Sequence, residues 1–264
     1  MTDPKVGVVF RPQSPPERLR NVVQAAESAG IAQLWLWEDC FAEGGLTTAA
    51  AALAWTRRLP VGIGLLPVPL RNPAVAAMEI ATLSRMFPGR FVPGIGHGVQ
   101  EWMGQVGARV ASPITLLREY ATTVRDLLHA RTVDVSGHYV HLDKVALDWP
   151  AAEPPPLVIG GRGPKTVRLA GEVADGLILD SVLTFDQIRE GCAWAAESRA
   201  AAGRTDEPFD VVVFVELDPT ASDLRAQINK SISTLAAIGA STVAFQSSSE
   251  APDPEPLIAA CAAR

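Results

Sequence analysis

Short runs of apolar and β-branched residues recur along the chain and alternate with longer segments in which apolar residues return every three or four positions. The short runs are almost continuously apolar, which predicts strands buried on both faces, and the longer segments are typical of amphipathic helices. The predicted strands are 5–10, 33–37, 60–66, 90–95, 156–161, 175–180, 210–217 and 241–246. The predicted helices are 16–29, 45–58, 73–87, 112–129, 164–174, 185–202, 221–238 and 253–263.

Strict alternation of strand and helix predicts a parallel sheet covered by helices. Eight such units in 264 residues are typical of an α/β protein with a closed (β/α)8 architecture, the TIM barrel. An open, doubly wound sheet is the alternative that the same pattern allows. Because no shift in composition marks a boundary, residues 1–264 are expected to form a single domain.

Two segments are longer than such a barrel requires. The first, 97–112, follows the fourth predicted strand, and the second, 131–155, precedes the fifth. Alternating apolar residues on either side of Ser136 and Gly137 predict a β-hairpin within the second segment. We expect this hairpin to cap or brace the barrel and not to carry chemistry.

Charge and cysteine content exclude several classes of partner. The net charge of −6 is spread along the chain, which disfavours binding to nucleic acid or to an anionic membrane. The three cysteines lie far apart and no pair of Cys or His has zinc spacing, so neither disulfides nor a metal site is expected. Neither a secretion signal nor a membrane-spanning run is recognisable. These features favour a cytoplasmic protein that acts on a small molecule.

A glycine-rich turn ends the fifth predicted strand and opens a helix. Gly160, Gly161, Arg162 and Gly163 precede Pro164, which occupies the first helical position, where its missing N–H costs nothing. The free N–H groups and the dipole of a helix start favour an anion, and glycines allow its close approach. The turn therefore predicts a phosphate-binding site, with an ordinary tight βα connection as the alternative.

Glycines also end the third and fourth predicted strands. Gly96, His97 and Gly98 follow the fourth strand, where small residues would let a flat ring lie against the backbone, or would simply form a bulged strand end. A Rossmann-type nucleotide site is disfavoured because the third glycine of its motif is absent. After the third strand, glycines at 62 and 64 and several prolines indicate a constrained backbone.

Four segments together resemble the bacterial luciferase-like flavin and deazaflavin oxidoreductases. They are AESAGIAQLWLWEDCF (26–41), VGIGLLPVPLRNPAVAAMEIATLSRMFPGRFVPGIGHGVQEWMGQVGA (61–108), SGHYVHLDKVALDWP (136–150) and PPLVIGGRGPKTVRLAGEVADGLIL (155–179). The resemblance covers about the first two thirds of the chain. The stretches GHGVQEWMGQVGA and RNPAVAAMEIATL are most similar to the branch that uses coenzyme F420, the methylenetetrahydromethanopterin reductase-like proteins.

The resemblance implies where the cofactor would lie. Its ring would rest at the barrel mouth against the backbone at Gly64-Leu65, which in such proteins is often a cis peptide. Its phosphate would rest on the turn after the fifth strand, in agreement with the helix-start argument. The implied cofactor-binding residues are Gly64, Leu65, Gly96, His97, Gly98, Gly160, Gly161, Arg162 and Gly163.

One position departs from the family pattern. Many members carry an Asp-His pair after the second strand, whereas this chain has Asp39 and Cys40. Asp39 and Glu38 are the catalytic candidates, and a structural ion pair is the alternative for either carboxylate. For Cys40 the alternatives are a small apolar filler and a reactive thiol.

The resemblance implies an oxidoreductase that transfers a hydride between coenzyme F420 and a small organic substrate. One alternative is an FMN-dependent monooxygenase, and another is a non-catalytic homologue that only binds flavin or deazaflavin. Members of the family are commonly homodimers, and the Ala-rich segments 46–55 and 73–83 provide flat apolar faces for such an interface.

Overall fold

A computed structural model of the protein describes residues 3–262. Its strands, in chain order, are β1 (Lys5–Phe10), β2 (Gln33–Leu36), β3 (Val61–Pro67), β4 (Phe91–Gly96), β5 (Val133–Ser136), β6 (His141–Val145), β7 (Val158–Gly160), β8 (Gly176–Leu179), β9 (Asp210–Glu216) and β10 (Thr242–Gln246). Its α-helices are α1 (Leu19–Ser28), α2 (Gly45–Trp55), α3 (Pro73–Met86), α4 (Gln100–Gln105), α5 (Pro113–Leu128), α6 (Pro164–Val173), α7 (Phe185–Ala201), α8 (Leu224–Ala237) and α9 (Glu255–Ala262). Within this range no helix has both the length and the apolar character of a membrane span.

Eight strands form a closed parallel barrel in the order β1-β2-β3-β4-β7-β8-β9-β10. Closure comes from pairing of the first and last strands, with Lys5 opposite Thr242 and Val8 opposite Phe245. The predicted (β/α)8 barrel is therefore confirmed, and the open doubly wound sheet is wrong because such a sheet leaves two edges unpaired.

The predicted hairpin is also confirmed. Strands β5 and β6 pair antiparallel as a separate two-stranded sheet, outside the barrel. Glu119 on α5 fixes the hairpin loop, since its carboxylate accepts hydrogen bonds from the backbone N–H groups of His138, Tyr139 and Val140 at 2.8 to 3.0 Å. The hairpin is thereby braced against the outer helices.

Several elements differ from the predicted pattern: α1 begins at Leu19, α2 ends at Trp55, and further differences concern α8 and the first insertion. Helix α8 begins at Leu224 and not at 221, because the Asp218 carboxylate accepts hydrogen bonds from the backbone N–H and the hydroxyl of Thr220 and holds a turn ahead of the helix. The first insertion contains the short helix α4, which the sequence pattern did not indicate. Six residues are too few for a clear helical period.

The core is divided between the barrel interior and the layer between strands and helices. The interior is filled by Trp35 with Phe214 against its edge, the two ring centroids being 5.6 Å apart. Leu34 and Leu36 belong instead to the outer layer, so inward and outward residues alternate along β2.

Packing of Trp35 requires a glycine on the neighbouring strand. A Cβ atom at Gly62 would lie 2.5 Å from two ring carbons of Trp35, far inside van der Waals contact. Because the ring is fully buried, it has no empty space into which to move.

We expect Gly62→Ala to lower the free energy of unfolding by about 1–3 kcal/mol, the usual cost of overpacking a core. Urea denaturation at neutral pH measures the change. Gly191→Ala is the matched control. Gly191 lies in helix α7, and a Cβ atom added there would be 3.4 Å from the Leu179 side chain, an ordinary van der Waals contact. Equal stability of Gly62→Ala and wild-type protein would contradict this account of the barrel interior.

Candidate functional site

The carboxyl ends of the barrel strands surround a cavity of about 560 Å³, which we call the mouth cavity. It lies at the end of the barrel where parallel (β/α)8 enzymes carry their sites, and its volume is within the range of small-molecule pockets. The site residues expected from the sequence all line it except Gly96. They are Glu38, Asp39, Gly64, Leu65, His97, Gly98, Gly160, Gly161, Arg162 and Gly163.

The floor of the mouth cavity is built around Leu65. The peptide bond between Gly64 and Leu65 is cis, as the family resemblance implied, and a second cis bond joins Cys40 to Phe41. The Leu65 side chain covers Gly96 and Gly160, since a Cβ at either glycine would lie 2.5 Å from its Cδ2 atom. Gly96 is thus placed beneath Leu65, which explains its absence from the cavity lining.

The turn after β7 has the geometry that the sequence predicted. Pro164 is the first residue of α6, and Gly163 precedes it in an extended conformation with no atom within 4 Å of a Cβ built on it. The opening of a ten-residue helix therefore faces free space at the cavity wall. Arg162 is less available than expected, because its guanidinium forms an ion pair with Asp180.

His97 connects this turn to the end of β4. Its Nε2 atom lies 2.9 Å from the hydroxyl of Thr166, in the first turn of α6. Its Nδ1 atom is buried and forms no hydrogen bond within residues 3–262. Burial lowers the pKa of His97, against a smaller opposing effect of the Pro113 backbone, so a neutral imidazole faces the cavity.

Asp39 is the carboxylate most available for chemistry. Its side chain is half-buried at the cavity wall and makes no hydrogen bond to another described residue. Burial raises the pKa of Asp39, Arg11 opposes this rise, and Asp180 adds to it. The protonated form is therefore more accessible to Asp39 than to an exposed aspartate.

Glu38 is held in an ion pair, one of the two arrangements left open by the sequence. Arg71 donates to both of its carboxylate oxygens, with 2.8 Å between Nη2 and Oε2, and the backbone N–H of Gly45 donates to Oε2 at 2.7 Å. This places a carboxylate at the start of α2, where the helix dipole favours it. Glu38 fixes the loop that carries Asp39.

Cys40 lacks the surroundings of a reactive thiolate. Burial, Glu38 and Asp39 all raise the pKa of its thiol, with Arg71 opposing them. A thiol that keeps its proton is a poor nucleophile. This environment favours the interpretation of Cys40 as a small apolar side chain that fills space, and disfavours a reactive thiol.

Several residues of the cavity wall were not singled out from the sequence, among them Phe214, Ile178 and Thr166. Phe214 lies inside the barrel, where its ring would be 2.7 Å from a Cβ at Gly64. Alternation along β9 indicates that Phe214 points inward, but not its depth in the barrel. Thr166 could be recognised only from its contact with His97.

A family model for luciferase-like monooxygenases matches residues 4–260, nearly the whole chain. The chain belongs to the luciferase-like monooxygenase family. This agrees with the barrel and with the family resemblance of the strand-end segments. Among residues 3–262 no group of three or more His, Cys, Asp or Glu side chains is placed to hold a metal ion.

Curated relatives fall in the F420-dependent branch of the family. The chain is 25% identical over 226 residues to a 5,10-methylenetetrahydromethanopterin reductase of Methanolobus tindarius, covering 84% of this chain and 69% of that protein. It is 32% identical over 198 residues to an F420-dependent glucose-6-phosphate dehydrogenase of Nakamurella multipartita, covering 69% of this chain and 58% of the relative. The chain thus spans less than two thirds of the length of this second relative. The expected resemblance to the F420-dependent branch is confirmed.

Solved structures share the fold. An F420-dependent secondary alcohol dehydrogenase in complex with an F420-acetone adduct superposes with a TM-score of 0.86 at 19% identity, over 99% of this chain and 98% of the other. A monooxygenase of Streptomyces bottropensis superposes with a TM-score of 0.73 at 18% identity, over 89% and 78% of the two chains. The luciferase-like barrel is therefore common to reductases and monooxygenases.

We expect Arg71→Met to lower the free energy of unfolding by about 2–4 kcal/mol, because it leaves the buried Glu38 carboxylate without its cation. Urea denaturation at pH 7 measures the loss. Adding Glu38→Gln to Arg71→Met should recover part of it. The control Arg189→Met removes an exposed ion pair with Asp186 and should change stability little. An equal effect of the two arginine substitutions would refute a buried pair.

Proposed function

We propose that this protein is an oxidoreductase that transfers a hydride between the deazaflavin coenzyme F420 and a small organic substrate. The observation that carries the proposal is the mouth cavity, which joins an anion-favouring helix start to a carboxylate with a raised pKa. The F420-dependent relatives support the choice of cofactor.

The residues present fit such a cofactor. The helix start at Arg162 and Gly163 offers backbone N–H groups to a phosphate, with open space beside Gly163, whereas the N–H of Gly161 is donated to the carbonyl of Ile178. The Gly64-Leu65 floor offers a flat apolar surface to a ring. The buried Nε1 atom of Trp37 lacks a hydrogen-bond partner within the described range and is available to a polar group of a ligand.

The protein's own contribution is orientation, exclusion of water and one proton. When bound, the deazaflavin supplies a hydride carrier that moves two electrons together. Phe214, Leu65 and Ile178 form apolar walls that keep water away from the reacting groups. We assign Asp39 the proton given to or taken from the substrate, and Glu38 the positioning of the loop that carries Asp39.

Titration of the purified protein with F420 and with FMN, followed by absorbance and fluorescence, tests the cofactor. We expect F420 to bind and, once reduced, to be reoxidised by a carbonyl substrate. Tight binding of FMN alone would favour the monooxygenase alternative. Binding of F420 without turnover by any substrate would favour a non-catalytic homologue.

Gly161→Ala should weaken F420 binding by about tenfold or more, a loss of about 1.4 kcal/mol. Its Cβ would lie 2.3 Å from the Cγ2 atom of Thr166 and would displace the first turn of α6 together with the His97 contact. Gly191→Ala is the control, because its Cβ would make an ordinary contact with Leu179 at 3.4 Å and Gly191 does not line the mouth cavity. If Gly161→Ala binds F420 like the wild-type protein, the anion does not rest on this turn.

We also propose that the protein is a cytoplasmic homodimer. Helix α3 exposes Val75, Met78 and Met86, and Trp149 lies beside it with 71% of its surface exposed and Arg85 stacked on its ring. Exposed apolar residues grouped in this way are typical of an interface between subunits. A location in the cytoplasm is supported by the wide spacing of the three cysteines.

Met78→Asp should convert the dimer to a monomer, because it places a charge at the centre of the apolar stripe on α3. Sedimentation velocity measures the association state. Val182→Asp is the control, since Val182 is also exposed but lies outside α3. A wild-type protein that sediments as a monomer would rule out the dimer.

A further inference from the structure

The rim of the mouth cavity has two unlike halves. Strands β3, β4 and β7 carry glycines towards their carboxyl ends, at Gly64, Gly96 and Gly160. The other five strands of the barrel are followed there by larger and mostly polar side chains. Each of these lies two positions beyond a residue of the barrel interior, so continued alternation directs it inward as well. They are Arg11, Trp37, Asp180, Glu216 and Gln246, which we call the polar layer.

Hydrogen bonds join the polar layer and compensate the charge of Arg11. This residue is buried, and its Nη1 atom donates to Glu216 at 3.0 Å and to the carbonyl of Ser247 at 2.8 Å. Gln246 donates from Nε2 to the same Glu216 oxygen at 3.0 Å and to the hydroxyl of Ser181 at 3.1 Å. The Arg11 guanidinium therefore has its counter-charge within the protein.

The other arginines at the mouth are also paired. Arg162 is the single Lys or Arg side chain lining the mouth cavity in the described part of the chain, and it pairs with Asp180. Arg71 is bound to Glu38. Burial lowers the pKa of His97, so its imidazole carries no charge at neutral pH. Once a cofactor phosphate occupies the start of α6, the described lining residues provide no unpaired cation for a second anion.

We propose that the substrate is an uncharged carbonyl compound or alcohol, and that compounds carrying a phosphate or carboxylate group are rejected. A charged group in a water-excluding cavity is costly without a cation, whereas an uncharged oxygen needs only a hydrogen bond. This inference rests on the proposed hydride transfer and narrows its substrate class. The chain then differs in substrate from the F420-dependent glucose-6-phosphate dehydrogenase of Nakamurella multipartita, although the two are 32% identical over 198 residues.

Trp37 provides the hydrogen-bond donor that an uncharged oxygen needs. It lines the mouth cavity, and its indole N–H is buried without an acceptor among the described residues. Its ring packs against the Arg11 guanidinium, 4.9 Å from the ring centroid, and against Phe214, with 5.7 Å between the two ring centroids. We assign this N–H to the substrate oxygen, because binding there satisfies an otherwise unpaired buried donor. Phe214 and Ile178 offer apolar contacts to the carbon skeleton.

Matched pairs of compounds test the charge preference. Reduced F420 is offered dihydroxyacetone or dihydroxyacetone phosphate, and pentan-2-one or 4-oxopentanoate, and its reoxidation is followed by absorbance. Where a compound is not itself reduced, its inhibition constant against a reduced carbonyl substrate is measured instead. We expect kcat/KM, or the affinity as inhibitor, to favour the uncharged member of each pair by about a hundredfold or more. Equal values, or a preference for the charged members, would overturn the inference.

Glu216→Gln tests whether the paired arginine is the reason that anions are excluded. The substitution keeps the shape of the side chain but removes the counter-charge of Arg11, so the preference for the uncharged members should fall by about tenfold or more. Added salt should reduce this effect. Glu197→Gln is the matched control, since it removes the partner of Arg168 on the outer helix α7 and should leave the preference unchanged. An unchanged preference in Glu216→Gln contradicts this explanation.

Trp37→Phe tests the assigned donor, because it keeps an aromatic ring and removes the N–H. We expect kcat/KM for uncharged substrates to fall about tenfold, with no change in the affinity for F420. Trp55→Phe is the matched control, since Trp55 lies on α2, contacts Arg20 and does not line the mouth cavity. Weaker F420 binding with unchanged substrate kinetics would show that the N–H serves the cofactor instead.

The outcomes separate the substrate class from the proposed function. A protein that does not bind F420, or binds it and turns over no carbonyl compound, refutes the proposed function and this inference with it. Turnover that is as fast with phosphorylated or carboxylated compounds as with their uncharged counterparts leaves the hydride transfer intact and refutes the substrate class alone.

Discussion

Strand β1 lies between β2 and β10, so every strand of the barrel is hydrogen-bonded along both edges. Because all eight strands are parallel, closure brings eight carboxyl ends, and the loops that follow them, to one rim. Residues more than a hundred positions apart, such as Asp39 and Gly161, thereby line one cavity. Without closure the helix start at α6 and the carboxylate after β2 would belong to separate parts of the surface.

Burial shifts some ionisable groups of this rim toward their neutral forms. It raises the pKa of Asp39 and Glu43 and lowers that of His97, and in each case desolvation is the largest cause. The charge of Glu38 is instead compensated, because Arg71 and the backbone N–H of Gly45 at the start of α2 donate hydrogen bonds to its carboxylate. The rim therefore combines two ion pairs, Glu38 with Arg71 and Asp180 with Arg162, with groups whose neutral forms are favoured by burial, which suits the proposed hydride transfer coupled to a proton.

The glycines of the rim have two different functions. Gly96 and Gly160 make room for the protein's own Leu65, and Gly161 makes room for Thr166, which in turn contacts His97. Gly163 instead borders open space at the helix start. Glycines in such a turn therefore make room for the protein's own side chains as well as for a ligand. The effect of replacing one of these glycines depends on which side chain lies next to it.

The sequence alone predicted the order of the main strands and helices, a (β/α)8 barrel in preference to an open sheet, the hairpin and the position of the cavity. These follow from apolar periodicity, from glycine and proline at strand ends, and from the rule that parallel barrels carry their sites at one rim. Only the tertiary structure decided that Glu38 is paired with Arg71, that Arg162 is paired with Asp180, and that the buried Oε2 atom of Glu43 has no hydrogen-bond partner among residues 3–262. Ion pairing and desolvation depend on residues brought together from different loops, and no local pattern in the chain specifies which of them meet.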